Sequence, residues 1–278
     1  MLARCSSSSH KLLALLLLLS ASGLAAQASV VATWFPLYDS GAGVGTPPPS
    51  SGLNTGSPVI GDGTAASAKD VNLWAAFPDL TLVNAGDSIT FTASVTLTGM
   101  TSSARQFRWG LFNVNGSSNL TGWLGWQGAQ GTGANVAGTQ GRFYERNNPD
   151  TNPFYSTTGA TTVSTFAATG TSPTFLNNTY NIEFQATRQV DNSVTLSWFL
   201  NSTDGTSYLS SGSFNDTTPQ TYLFDRVGIL LGSTLNTSQA SFSNMDVTLT
   251  SVPEPASSAL LLLGAVGSAA LLRRHRRK

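Results

Sequence analysis

The chain is poor in the residues that most enzymes use. Cys5 is its only cysteine and sits near the N-terminus, so no disulfide can close within the chain. His10 and His275 are the only histidines and stand at the two ends. The interior therefore holds neither thiol nor imidazole, which excludes Ser-His-Asp and Cys-His nucleophiles and the usual zinc ligand sets. Only carboxylate chemistry stays open, and between residues 29 and 252 the glutamates are just Glu145 and Glu183. Charge is sparse as well. That interval has seven basic and thirteen acidic side chains, a net of −6, which the balanced total of the whole chain hides. A domain of that sign repels phosphate backbones and argues against nucleic acid as a partner.

The two ends have a different composition from the middle. Arg4 and Lys11 precede an apolar run over residues 12–19, and small residues lead to Ala26, Gln27 and Ala28. This is the pattern of a secretory signal peptide over 1–28, with cleavage expected after Ala28 so that the mature chain begins at Ser29. The run is too short to span a bilayer, which needs about 20 apolar residues. Signal peptidase and the export machinery are the partners this implies. Cys5 lies before the apolar run, whereas a lipoprotein signal has its cysteine after it.

Residues 29–69 hold one strand candidate, 30–37 with Trp34 and Phe35, followed by a Gly, Ser, Thr and Pro-rich stretch over 40–69 that reads as a long loop. The strand is expected to pack on the domain, near the C-terminal strand. From residue 70 to 250 the period is two. Over Ser88–Thr98, Ile89, Phe91, Ala93, Val95 and Leu97 alternate with threonine and serine. Further strands are expected at 105–113, 122–127, 142–146, 180–188, 193–200, 207–214, 222–231 and 240–250, and residues 71–83 are dense in large apolar groups. Asp204-Gly205 marks a hairpin, and Phe242 and Met245, three apart, call for a bulge near Ser243-Asn244. About ten or more antiparallel strands in this length predict an all-β fold, a two-sheet jelly-roll sandwich.

The tail, 251–278, has three parts in order: Pro253-Glu254-Pro255, an uncharged stretch over 256–272, and Arg273, Arg274, Arg276, Arg277 and Lys278 around His275. The prolines keep the first part extended. As a helix the second is about 25 Å long, short for a permanent anchor across a hydrocarbon core of about 30 Å. The five cations hold the C-terminus on the cytoplasmic side, leaving the domain outside.

Those three parts closely resemble the PEP-CTERM sorting signal of Gram-negative bacteria that make exopolysaccharide. The resemblance implies that an exosortase recognises Pro253, Glu254 and Pro255 and removes the helix. The chain would then pass from transient inner-membrane anchoring to the cell surface or extracellular matrix. The domain, notably in Phe224-Asp225-Arg226-Val227-Gly228-Ile229-Leu230 and Ala240-Ser241-Phe242-Ser243-Asn244, resembles concanavalin-A-like jelly rolls. This implies a binding or structural module, with exopolysaccharide as a partner.

Candidate site residues in the domain are few. Trp109, Trp123, Trp126 and Tyr144 are candidate glycan-stacking rings, because flat apolar rings match the C–H faces of sugars; the competing role for each is the core. Glu145 is placed to pair with Arg142 or Arg146 in a solvated loop. With Asp150 it is the acid pair of the alternative reading, a carboxylate-dependent glycan hydrolase or lyase of laminarinase-like fold, although the tight E-x-D-x-x-E motif of that fold is missing. Glu183 alternates with Ile182 and Phe184 and belongs to a polar strand face. No metal site or cofactor is expected; Asp191, Asp204 and Asp216 near turns are the acidic groups that would suit Ca²⁺, at spacings matching no calcium loop.

Overall fold

The computed structural model describes residues 25–38, 50–64, 68, 71–100, 107–117, 120–130, 140–147, 160–169, 177–204, 209–232, 235 and 237–253. The described residues form fifteen strands: β1 Ala25–Val30, β2 Phe35–Tyr38, β3 Ser50–Ser51, β4 Val59–Ile60, β5 Val71–Thr81, β6 Ser88–Thr98, β7 Phe107–Asn113, β8 Leu124–Gln130, β9 Gln140–Arg146, β10 Ala160–Thr169, β11 Asn178–Arg188, β12 Val194–Ser202, β13 Leu209–Asp216, β14 Leu223–Leu231 and β15 Gln239–Ser251. All pairings are antiparallel. Sheet I runs β13-β12-β11-β6-β15, and the far edge of β15 is shared by β1 and the short β4-β3 pair. Sheet II runs β2-β5-β14-β7-β8-β9-β10. At its end β10 turns to meet β13, through Ala168 and Thr169 opposite Ser210 and Leu209, which closes one side of the sandwich. This is the expected two-sheet jelly roll.

Alternation sets the faces. On sheet I, Ile89, Phe91, Ala93, Val95 and Leu97 point inward with Ile182, Phe184, Leu196, Trp198 and Val247, all buried. The threonines and serines between them hydrogen-bond across the outer face, as Thr96 to Thr179 at 2.9 Å and Ser94 to Asn181 at 3.0 Å. On sheet II the inward rows are Leu231-Phe107, Ile229-Trp109 and Val227-Leu111-Trp126. The sheets interlock at the centre, where Trp109 stacks on Trp198 at 4.5 Å and 21°.

Several expectations need correction. The single strand over 30–37 is two strands on different sheets. β1 does pair with the C-terminal β15, but the chain then crosses at buried Val31 and Trp34, and β2 joins β5 in sheet II. The stretch 40–69 is not loop throughout: β3 and β4 lie in it, and Ile60 and Ala68 are fully buried. β10 lies where no strand was expected, since Ala160–Thr169 carries little apolar mass. The bulge near Ser243-Asn244 is present: pairing with β6 shifts between Ser243 and Asp246, and Asn244 has φ 52°.

Ala26, Ala28 and Ser29, the expected cleavage site, lie on β1 opposite Thr250, Thr248 and Val247. Cleavage after Ala28 would leave Ser29 and Val30 of that strand. The other edge of β15 is held by β6, and Ala26, Gln27 and Ala28 are exposed, so the core keeps its contacts. The expected membrane helix over 256–272, the residues Glu254 and Pro255, and the basic cluster lie outside the described residues, as does Asp150.

Candidate functional site

The outer face of sheet II is unlike that of sheet I. Residue-to-residue pairing carries one row across all seven strands: Phe35, Trp74, Gly228, Gly110, Gln127, Tyr144 and Thr162. At the usual spacing of about 4.8 Å between strands the row is about 29 Å long. Phe35 is 43% exposed and stacks on half-buried Trp74 at 4.5 Å and 22°, giving the row an aromatic end with an open ring. Two glycines then make a floor without side chains. Gly110 has no room for one, since a Cβ there would stand 2.0 Å from the Trp126 carbonyl oxygen. Gln127 and Tyr144 follow, and exposed Thr162 ends the row.

Arginines flank this row on both sides. Arg108 and Arg142 occupy the next outward positions on one side, with Asn72 and Leu230. Arg226 and Arg146 occupy the other, with Phe112. The Arg108 guanidinium lies 5.7 Å from the Tyr144 ring centroid, and that of Arg226 lies 5.8 Å from Trp74. Arg226 also meets Asp225 at 3.4 Å. Burial pushes the Arg108 pKa below its ordinary value. Along the Phe112 side a small second core forms, Phe112 and Trp123 with Trp74, Val114 and Leu120 packed against them.

Two buried amides on this face lack a protein partner. Both side-chain polar atoms of Asn72, which is 0% exposed, are unsatisfied, and so is Nε2 of Gln127, at 2%. Buried polar groups of this kind are ordinarily satisfied, so these atoms mark a place for water or ligand.

The sequence candidates divide between the two faces. Trp109 and Trp126 point into the core: Trp109 stacks on Trp198 and donates Nε1 to the Glu183 carbonyl at 3.0 Å, and Trp126 donates Nε1 to Asp216 at 2.9 Å. Neither ring has a face open to a ligand. Trp123 and Tyr144 are on the outer side of sheet II, Trp123 in the small core and Tyr144 in the row itself. Phe35, Trp74, Gln127 and the flanking arginines were not singled out. Period-two alternation puts Trp74, Arg108 and Gln127 opposite their core neighbours, but their alignment depends on register between distant strands.

Glu145 is not in a solvated loop and faces neither Arg142 nor Arg146. It lies on β9 pointing inward beside Trp126, with its side chain 5% exposed. Burial first, and then the charge and hydrogen bond of Asp216, push its carboxyl up to about 8, against a smaller lowering by the Gln220 backbone. At neutral pH it is protonated and can donate to Asp216, which also accepts from Trp126 and, at 2.9 Å, from the backbone N–H of Thr218. This carboxyl pair therefore ties sheet II to the end of β13 from within. Asp191 bonds Ser193 and Asp204 bonds Ser202, each within its own turn, and among the described residues no group of three His, Cys, Asp or Glu could hold a metal ion.

Comparison with known proteins bears on the tail. The family model for the PEP-CTERM protein-sorting motif matches residues 251–278. The chain carries a PEP-CTERM sorting motif. It begins at Ser251, the last residue of β15, so the last strand of the described fold ends where the PEP-CTERM segment begins, and the segment marks the protein as exported and as a substrate for an exosortase. No curated protein matches the sequence. Among solved structures, the chain is similar to the carbohydrate recognition domain of Emp47p at 14% identity and TM-score 0.47, covering 84% of this chain and 99% of that one. It is similar to an alginate lyase from Aplysia kurodai at 12% and 0.46, covering 73% and 86%. Arcelin-5, a lectin-like defence protein from Phaseolus vulgaris, gives 8% and 0.41, covering 82% and 99%. At those scores none of them decides what this chain binds or does.

Proposed function

We propose that the chain is a non-enzymatic protein of the cell surface or extracellular matrix that binds a linear polysaccharide across sheet II. Its export and release follow the sequence reading: the signal peptide leaves after Ala28, the C-terminal helix holds the protein in the inner membrane, and an exosortase cuts at Pro253-Glu254-Pro255. The observation that carries the binding role is the row from Phe35 to Thr162. The exposed Phe35 ring on half-buried Trp74 at one end and exposed Thr162 at the other are the contacts this row offers an extended chain of sugar rings, while Gly228, Gly110, Gln127 and Tyr144 between them are buried. The absence of catalysis draws support from Glu145 and Asp216, which spend their carboxyl groups on each other and on Trp126 inside the sandwich rather than on the row.

Titration of the full chain with a panel of linear polysaccharides, with reducing ends and unsaturated products assayed in the same samples, tests this reading. Saturable binding without turnover is expected, weakened about tenfold by Phe35→Ala, which removes an exposed ring and leaves the core intact. Binding that ignores this change would remove the site, and turnover lost in Glu145→Gln would establish the hydrolase or lyase.

A further inference from the structure

We infer that the end of the sandwich carrying Val83 and Val190 is a lipid-contacting surface, which rests on the membrane while the tail is uncut. This rests on the sorting reading proposed above, with 256–272 as a helix in the inner membrane, and adds which part of the domain meets the lipid. Thr250, Ser88, Thr187, Thr195 and Asn215 form one row of sheet I close to this end. Beyond it lie the turn from β5 to β6, the turn from β11 to β12 and the exit of β15 toward Pro253. Among the described residues three large apolar side chains are exposed, and two of them are here: Val83 at 59% in the first turn and Val190 at 90% in the second. Arg188 braces the two turns against each other. It donates from Nη1 to the Val83 carbonyl at 2.7 Å and from Nη2 to Asn192 Oδ1 at 2.7 Å, with its guanidinium 4.5 Å over the Tyr222 ring. Its backbone carbonyl accepts the Gly86 N–H at 2.8 Å. Two apolar tips on one braced platform stay in water at a cost unless another apolar phase covers them.

The tail brings that phase to them. Both polar backbone atoms of Val252 are held by the β5–β6 turn, the N–H by Asp87 at 2.8 Å and the carbonyl by Asn84 at 3.3 Å. Ala256, where the uncharged stretch begins, is four residues further on, a reach of at most about 14 Å. Headgroups occupy roughly 5–8 Å on each side of the hydrocarbon core, so the gap between this end and the headgroups is under about 9 Å. The N-terminal side agrees. Ala25 pairs with Ser251, so before signal cleavage the chain enters the fold at the end from which it leaves. On so short a tether a contact too weak for a free domain is populated, because the surface is always at hand. Apolar side chains seat at the boundary of headgroups and acyl chains. Cutting at the motif removes the tether. Two valines bury less apolar surface than one acyl chain, which alone binds membranes only marginally, so release of the domain follows from the cut.

For the test, protein that keeps its tail, from cells lacking the sorting peptidase, is reconstituted into vesicles of phosphatidylethanolamine and phosphatidylglycerol with a nitroxide on part of the headgroups. A fluorophore is placed on Ala85→Cys, an exposed position in the β5–β6 turn, or on Thr98→Cys, exposed at the far end of β6, each combined with Cys5→Ser. The two positions are separated by the length of β6, about 34 Å from Ser88 to Thr98. Expected is at least threefold stronger quenching of the Ala85→Cys label than of the Thr98→Cys label. Val83→Asp with Val190→Asp should cut quenching of the first label at least twofold, while flotation with the vesicles and thermal melts stay unchanged. Equal quenching of the two labels, or quenching of the first that ignores the two aspartates, would overturn the inference and leave the anchor standing. Quenching that appears only when the peptidase is added, or cross-linking of two copies through Ala85→Cys, would overturn it by naming another occupant. Failure of the protein to float with the vesicles would instead overturn the membrane anchoring beneath it.

Discussion

The carboxylate of Asp87 accepts the backbone N–H of Val252 at 2.8 Å, fastening the turn between β5 and β6 to the residue before Pro253. Its other oxygen accepts the N–H groups of Val83 at 2.9 Å and Asn84 at 2.7 Å, and Asn84 returns a bond from Nδ2 to the Val252 carbonyl at 3.3 Å. Asp87 is buried, so Asp87→Ala would leave three backbone donors without their acceptor. A loss of about 2–3 kcal/mol is expected in urea unfolding. Amide exchange should quicken at Val252 while the centre of β15 stays protected; unchanged exchange at Val252 would show that the clamp does not hold the tail.

Gly128 makes room for Trp198. A Cβ on Gly128 would stand 1.7 Å from Cδ1 of that indole, which is stacked on Trp109 and has no space to retreat. Gly128→Ala should lower stability by about 2–3 kcal/mol, a fall in Tm of roughly 5–10 °C for a domain of this size. An unchanged melt would mean that the two sheets do not interlock at this point.

Glu145 makes stability depend on pH. Its folded pKa of about 8 lies above the ordinary 4.5, so between those values the folded state holds a proton that the unfolded state has lost. The stabilisation is complete below about pH 4.5 and declines as pH rises toward 8. From pH 5 to 8 a loss on the order of 2 kcal/mol is expected, about half the ideal linkage value because solvent screens part of it. Glu145→Gln keeps an N–H for Asp216 and should flatten this slope in denaturant titrations at a series of pH values.

The fold was legible wherever one face of a strand is apolar and the other polar. β6 was bounded in the sequence as the structure has it, because Ile89 to Leu97 alternate without interruption. β10 was not, as Ala160–Thr169 carries few large apolar side chains and its place depends on pairing with β9 and β13. Glu145 was misplaced because a glutamate between arginines suggests a surface ion pair. Strand parity instead sends Arg142, Tyr144 and Arg146 outward and Glu145 in. The row on sheet II joins residues as far apart in sequence as Phe35 and Gly228, and their alignment is a property of the assembled sheet. The sorting motif over 251–278 was legible, because it is contiguous and its chemistry local.

Processing at that tail is the claim on which export, release and surface role converge. Mass spectrometry of the protein's native C-terminus, in cells that possess the sorting peptidase, tests it most directly. The expected product ends at or beside Pro253-Glu254-Pro255 and lacks residues 256–278, while deletion of the peptidase restores the full-length end. A protein that still terminates at Lys278 in peptidase-bearing cells would contradict the account.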